Sequence, residues 1–165
     1  MRLDHQWIAK QIPHQGGMHL LDAVERWDEN TITCTAISHR WETLPLRAHG
    51  RLGAACGIEY AAQTMAVHGA LLCPTTGEGG AARLGYLISV RNLVLCVSRL
   101  DDIDGALTIT AEKLSDNSNL LYRFSVLGQG RVLLDGRAAL LLDTNPSAAV
   151  HSPALPADSR EEPHA

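Results

Sequence analysis

GRLGAACGIEYAAQTMAVHGALL, Gly50–Leu72, is the stretch that decides the fold. It reads as one long helix, apolar on every side and rich in small residues. The 26 residues from Leu52 to Gly77 carry a single formally charged side chain, Glu59. A helix without a charged outer face has to be surrounded by protein. An acid on such a helix is expensive to bury ionised, so it is paired, protonated or used. Gln63 stands one turn beyond Glu59 on the same face, where it can orient the carboxyl. His39, twenty positions upstream, is the first partner to test.

Working outward, Leu3–Ile12 is predicted as a short helix, ended by Pro13. Met18–Trp27 and Thr31–Ser38 read as strands joined by the polar turn Asp28-Glu29-Asn30. A loop from His39 to about Arg51 feeds the long helix. Pro74–Gly80 is the strongest breaker cluster. Four strands follow: Leu84–Arg99, Leu107–Leu114, Leu120–Leu127 and Arg131–Leu142. The connections at 101–105, 116–119 and 128–130 suit hairpins. From Thr144 to Ala165 the composition shifts to Pro, Ser, Ala and charge, which reads as a disordered tail behind a single domain, residues 1–143. One buried helix among long antiparallel strands implies a sheet curled around it. Such a sheet leaves an edge strand exposed, and Leu84–Arg99 is the longest candidate for pairing with a second copy.

Composition narrows the function. With 165 residues, 45% of them hydrophobic and only one Phe, the core is built from aliphatic side chains. A net charge of −4 with no basic run argues against nucleic-acid binding. Cys34, Cys56, Cys73 and Cys96 form no C-x-x-C pair and read as buried free thiols of a reducing compartment. His and Cys are too scattered for a metal site. The polar residues Glu59, Gln63, Thr64 and His68 argue against a membrane span, and MRLDHQWIAKQIP lacks an apolar signal core. A cytoplasmic protein is expected. His68 reads as a hydrogen-bonded core histidine, and His49 as a surface loop residue.

The residues Ile12-Pro13-His14, Leu20-Leu21-Asp22, His39 and Gly57-Ile58-Glu59-Tyr60-Ala61-Ala62-Gln63 together resemble the hot-dog-fold 3-hydroxyacyl-acyl-carrier-protein dehydratases. Pro45-Leu46-Arg47, Gly50-Arg51-Leu52, Gly57–Leu71 and Gly136-Arg137-Ala138 look more closely like the dehydratase-like subgroup of aryl polyene gene clusters. The likeness runs from about Ile8 to Leu142. The sequence departs from the housekeeping enzymes at His39-Arg40-Trp41, where they have H-F-P, and at Pro13-His14-Gln15, where they have Pro-His-Arg. It also lacks their M-P-G at the helix start.

The resemblance implies an α+β hot-dog domain, an antiparallel sheet wrapped around one long central helix. It also implies dehydration of a 3-hydroxyacyl thioester to the trans-2-enoyl product. His39 would be the base at C2 and Glu59 the acid at C3, its pKa raised by the apolar helix. Backbone N–H groups around Gly53 would polarise the thioester carbonyl. Gln63 and His14 join them as substrate-site residues, His14 with a capping role as its alternative. No cofactor is implied beyond the phosphopantetheine that carries the substrate. The expected partners are an acyl carrier protein, met by a basic rim of Arg40, Arg47 and Arg51, and a second hot-dog subunit, the same or different, completing the site. Two alternatives stand beside this reading: a non-catalytic hot-dog subunit that stabilises a second dehydratase chain, and an acyl thioesterase.

Overall fold

The computed structural model describes residues 2–14, 16–73, 85–115 and 119–142. The Pro74–Gly80 breaker cluster, residues 116–118 of the expected hairpin turn and the 144–165 tail lie outside the described residues. In chain order the elements are β1 (Leu3–Asp4), α1 (His5–Gln11), β2 (Ala23–Trp27), β3 (Thr31–Ala36) and α2 (Gly57–Leu72). Then come β4 (Gly85–Leu95), β5 (Leu107–Ser115), β6 (Leu120–Gly128) and β7 (Arg131–Leu142). Short 3₁₀ turns occupy Gly16–Met18, Ser38–Arg40 and Ala54–Cys56.

The strands form one antiparallel sheet in the order β1-β2-β3-β5-β6-β7-β4, with α2 packed against β3, β5 and β6. This is the expected hot-dog arrangement. The β6–β7 hairpin is set by Gln129 and Gly130, whose φ values of 53° and 74° make the left-handed two-residue turn that matches strand twist. Every residue of α2 is buried or half-buried, as a helix with one charge requires. Tyr60, Ala61, Met65 and Val67 enter the core beside Leu20, Leu52, Ile109, Phe124 and Leu134.

Several boundaries differ from the sequence reading, each because a side chain or distant backbone claims a hydrogen bond. Leu3 and Asp4 pair with Val24 and Ala23, so the first helix begins only at His5. Asp4 is then its N-cap, accepting from the Trp7 N–H at 2.9 Å. The strand expected from Met18 begins at Ala23, because the Met18 carbonyl and Leu20 N–H are bound to Gln63 instead of a neighbouring strand. The long helix begins at Gly57 instead of Gly50. Gly53 is extended and bridges Arg99, flanked by two backbone bonds: Ala54 N–H donates to Ser98, and Leu100 N–H donates to Leu52. All four cysteines are free, but Cys73 and Cys96 are exposed, so the expected burial holds for Cys34 and only in part for Cys56.

Candidate active site

Glu59 lies in the first turn of α2 with its side chain 31% exposed. His14 Nε2 is 2.9 Å from Glu59 Oε1, and the Gln63 amide donates to the same oxygen at 3.0 Å. Gln63 itself is fully buried and satisfied. Its Nε2 also donates to the Met18 carbonyl at 2.7 Å, and its Oε1 accepts from Leu20 N–H at 3.0 Å. The i, i+4 spacing brings Gln63 under Glu59, and the same amide ties the loop that follows His14 onto the helix. The structure therefore assembles three of the expected site residues, Glu59, Gln63 and His14, within one protomer. The capping role considered for His14 is not what it does here, since α1 is capped by Asp4 and Ile12.

Burial pushes the Glu59 carboxyl up, but hydrogen bonds from His14 and Gln63, with the field of the imidazole, bring it below its ordinary value. Desolvation on an apolar helix, taken alone, predicts a raised pKa. Two donors on one oxygen reverse the sign, because they stabilise the charged form. Glu59 is a carboxylate at neutral pH.

His39 is fully buried on the Ser38–Arg40 turn, its Nε2 hydrogen-bonded to the Ile103 carbonyl at 3.0 Å. Burial lowers its pKa, so the imidazole is neutral. Its Nδ1 is buried and has no partner among the described residues. Within the protomer, no described hydrogen bond or ion pair joins it to Glu59. The turn that carries it is firmly held. Ser38 Oγ donates to the Leu20 carbonyl at 2.8 Å and meets the Tyr60 hydroxyl at 2.9 Å. Asp22 Oδ2 accepts from Ile37 N–H at 2.6 Å, and Arg47 donates to the His39 carbonyl at 3.1 Å. Sequence reasoning named Leu20-Leu21-Asp22 as a motif but not as this brace, and nothing in the sequence marked Ser38 as its centre.

Gly53 is exposed and precedes α2, separated from its first residue by the Ala54–Cys56 turn. The neighbouring Leu52 and Ala54 N–H groups are taken by Asp101 and Ser98, whereas no described bond uses the Gly53 N–H. The basic rim is largely neutralised. Arg47 lies beside Asp101 at 3.7 Å with its side chain mostly buried, and Arg40 pairs with Asp104 at 3.3 Å. Arg51 alone of the three is exposed without a described acidic partner. His68 is a core histidine, bound to the Tyr122 hydroxyl at 3.0 Å and the Asp28 carbonyl at 2.9 Å. Among the described residues no group of three or more metal-ligating side chains converges, and no helix is long and apolar enough to cross a membrane.

The family model for ApeP-like proteins, described as ApeP dehydratase, matches residues 6–150. No curated protein matches the sequence. Among solved structures, one similar fold is the dehydratase heterocomplex ApeI:P from Xenorhabdus doucetiae. It is 23% identical over 82% of this chain and 90% of that one, with a TM-score of 0.69. A mutant thioesterase, PA1618 from Pseudomonas aeruginosa, is 14% identical over 84% of this chain and 93% of that one, with a TM-score of 0.59. The E. coli PaaI protein from the phenylacetic acid degradation operon is 13% identical over 83% and 88%, with a TM-score of 0.53. At these identities the structural matches show the fold alone.

Proposed function

The chain belongs to the ApeP-like family, and on that premise we propose that it dehydrates 3-hydroxyacyl chains carried as thioesters on the phosphopantetheine of an acyl carrier protein, in aryl polyene or fatty-acid-like synthesis. The observation that carries this reading is the Glu59 carboxyl, one-third exposed and clamped on Oε1 by His14 and Gln63, bonds that favour its charged form. Dehydration removes a proton from C2 and expels hydroxide from C3. With Glu59 ionised and His39 neutral, neither of the two resting groups is an acid, so one proton serves both steps. Glu59 takes the C2 proton, the C2–H electron pair becomes the C2=C3 bond, and the C3–O bond breaks. The same proton then passes from Glu59 to the departing hydroxide as water, and the carboxylate is restored. The Gly53 N–H, unused among the described residues, is the candidate donor to the thioester oxygen. With Nε2 held by the Ile103 carbonyl, His39 takes part across a subunit boundary only if the substrate reaches its buried Nδ1, which has no partner among the described residues.

The test is mass spectrometry of a 3-hydroxyacyl carrier protein incubated with the chain, alone and with a second hot-dog subunit. Loss of one water mass is expected. Glu59→Gln is expected to slow it by about 10²–10⁴-fold, the usual worth of general acid–base catalysis. In wild type kcat/KM rises with pH along one acidic limb, at or below the ordinary glutamate range, and no alkaline limb follows. A Glu59→Gln variant at full rate refutes the assignment, and release of the free acid replaces dehydration with hydrolysis.

Two observations favour a second reading. His39 is sealed in the core, and a similar fold comes from a dehydratase heterocomplex. In that reading the chain pairs with and supports another hot-dog subunit that does the chemistry. The pair is then active, this chain alone is not, and Glu59→Gln leaves the pair at full rate.

A further inference from the structure

We propose that His14 is a positioning residue for Glu59: its Nε2–H, with the Gln63 amide, occupies Oε1 and leaves Oε2 for the substrate, so the working carboxylate is set up inside one protomer before any second subunit docks. The proposal rests on the dehydratase reading for the identity of the substrate, and on three distances for the rest. His14 reaches Oε1 at 2.9 Å and Gln63 reaches it at 3.0 Å, and the same Gln63 amide holds the Met18 carbonyl at 2.7 Å. Both described bonds to the carboxyl land on Oε1, so among the described residues Oε2 carries none. His14 and Glu59 are exposed to a similar degree, 28% and 31%, so a ligand reaching one carboxyl oxygen passes beside the ring.

The ring has one open edge. Its Nδ1 is buried and without a partner among the described residues, so the Nε2 side is the one that carries the hydrogen bond. The 2.9 Å contact needs a proton on Nε2, which the ring donates to Oε1. The titratable groups at this corner are Glu59 on α2, His19 on the following loop and His5 on α1. The His5 and His19 rings meet edge to face at 5.7 Å between centroids, and His5 Nδ1 is bound to the Leu21 carbonyl at 2.8 Å. Burial, then the fields of His5 and His14, lower the His19 pKa, so His19 adds no positive charge beside the pair near neutral pH.

The test compares His14→Ala with His14→Gln, whose amide N–H sits where Nε2–H does. Two readouts are taken: the pH profile of kcat and KM for water loss, and the ¹³C titration of the Glu59 carboxyl. Without the His14 bond, burial acts on the carboxyl with less opposition. In His14→Ala both the acidic limb and the carboxyl titration therefore move to higher pH. kcat falls by up to about 10²-fold, the cost of a misplaced reacting group, while KM holds. His14→Gln returns limb, titration and rate toward wild type. If Ala and Gln behave alike, with the limb and the carboxyl signal unmoved, His14 is a packing residue and the proposal is overturned. If His14→Ala does not fold, His14→Asn, too short to reach Oε1, replaces it. Wild type that loses no water, alone or with a second subunit, sinks the dehydratase reading. The carboxyl titration still decides then: a moved signal keeps His14 as the group that sets Glu59, and an unmoved one removes it.

Discussion

Asp101 holds together the ground on which the site is built. Its side chain is 5% exposed, and its Oδ1 accepts from Leu52 N–H at 2.8 Å and Arg99 Nε at 3.0 Å. Its other oxygen pairs with Arg99 and lies 3.7 Å from Arg47, which in turn holds the His39 carbonyl. The Arg99 hydrogen bond keeps the Asp101 carboxyl well below the usual carboxylate range. A folded pKa below the unfolded one adds stability above the unfolded value, about 3.9, that is lost as pH falls through the range below it. Asp101→Asn is expected to cost about 1.5–3 kcal/mol at pH 7, the worth of hydrogen bonds to a charged group. The gap to wild type then narrows at pH 3 in urea melts, and a constant gap refutes the assignment. Of the site itself, Glu59 and Gln63 were legible because a lone acid on an apolar helix is costly without a partner. That the partner in the protomer is His14 was not, since it lies 45 positions upstream and no spacing encodes the approach. The direction of the Glu59 shift was misjudged for the same reason.

At the scale of the element, the start of α2 turns on Gly57. A Cβ there would lie 2.5 Å from Leu134 Cδ2 and 2.8 Å from Cδ1, and Leu134 is fully buried on β7. Intrinsic propensity favours Ala over Gly in a helix by about 1 kcal/mol. Overpacking a closed core costs about 1–3 kcal/mol. Packing is expected to win, so Gly57→Ala lowers the urea midpoint, and Leu134→Ala in the same chain relieves part of the loss. A Gly57→Ala variant as stable as wild type would mean that the helix has room to shift from the sheet. The sequence showed a helix here because apolar small residues run unbroken, but it placed the start seven residues early. Residues 52–54 are claimed by Ser98, Leu100 and Asp101, some fifty positions away, and that competition leaves no local trace.

At the scale of the whole molecule, the sheet ends on β4, the strand expected at the edge. Leu87, Ile88, Val94 and Leu95 are exposed on it, and Leu141 on the neighbouring β7 joins them. An apolar edge of this length is open to pairing with another strand. We expect Ile88→Lys with Leu95→Lys to lower the sedimenting mass of the assembled protein, alone or with a second hot-dog subunit. Far-ultraviolet circular dichroism should be unchanged, because both side chains lie outside the core. An unchanged mass would place the interface elsewhere.

The order of the elements from α1 on, the buried central helix, the edge strand and the choice of Glu59 as the residue to explain followed from sequence alone. They rest on local quantities: side-chain period, breaker residues, and the cost of one charge in an apolar run. Tertiary structure decided which imidazole touches the carboxylate, that the carboxylate is ionised, that His39 is sealed against the Ile103 carbonyl, and that two of three rim arginines are neutralised. Each depends on groups brought within hydrogen-bonding range by folding, and a bond that acts over 3 Å between residues 45 or 64 positions apart has no signature in either one's neighbours.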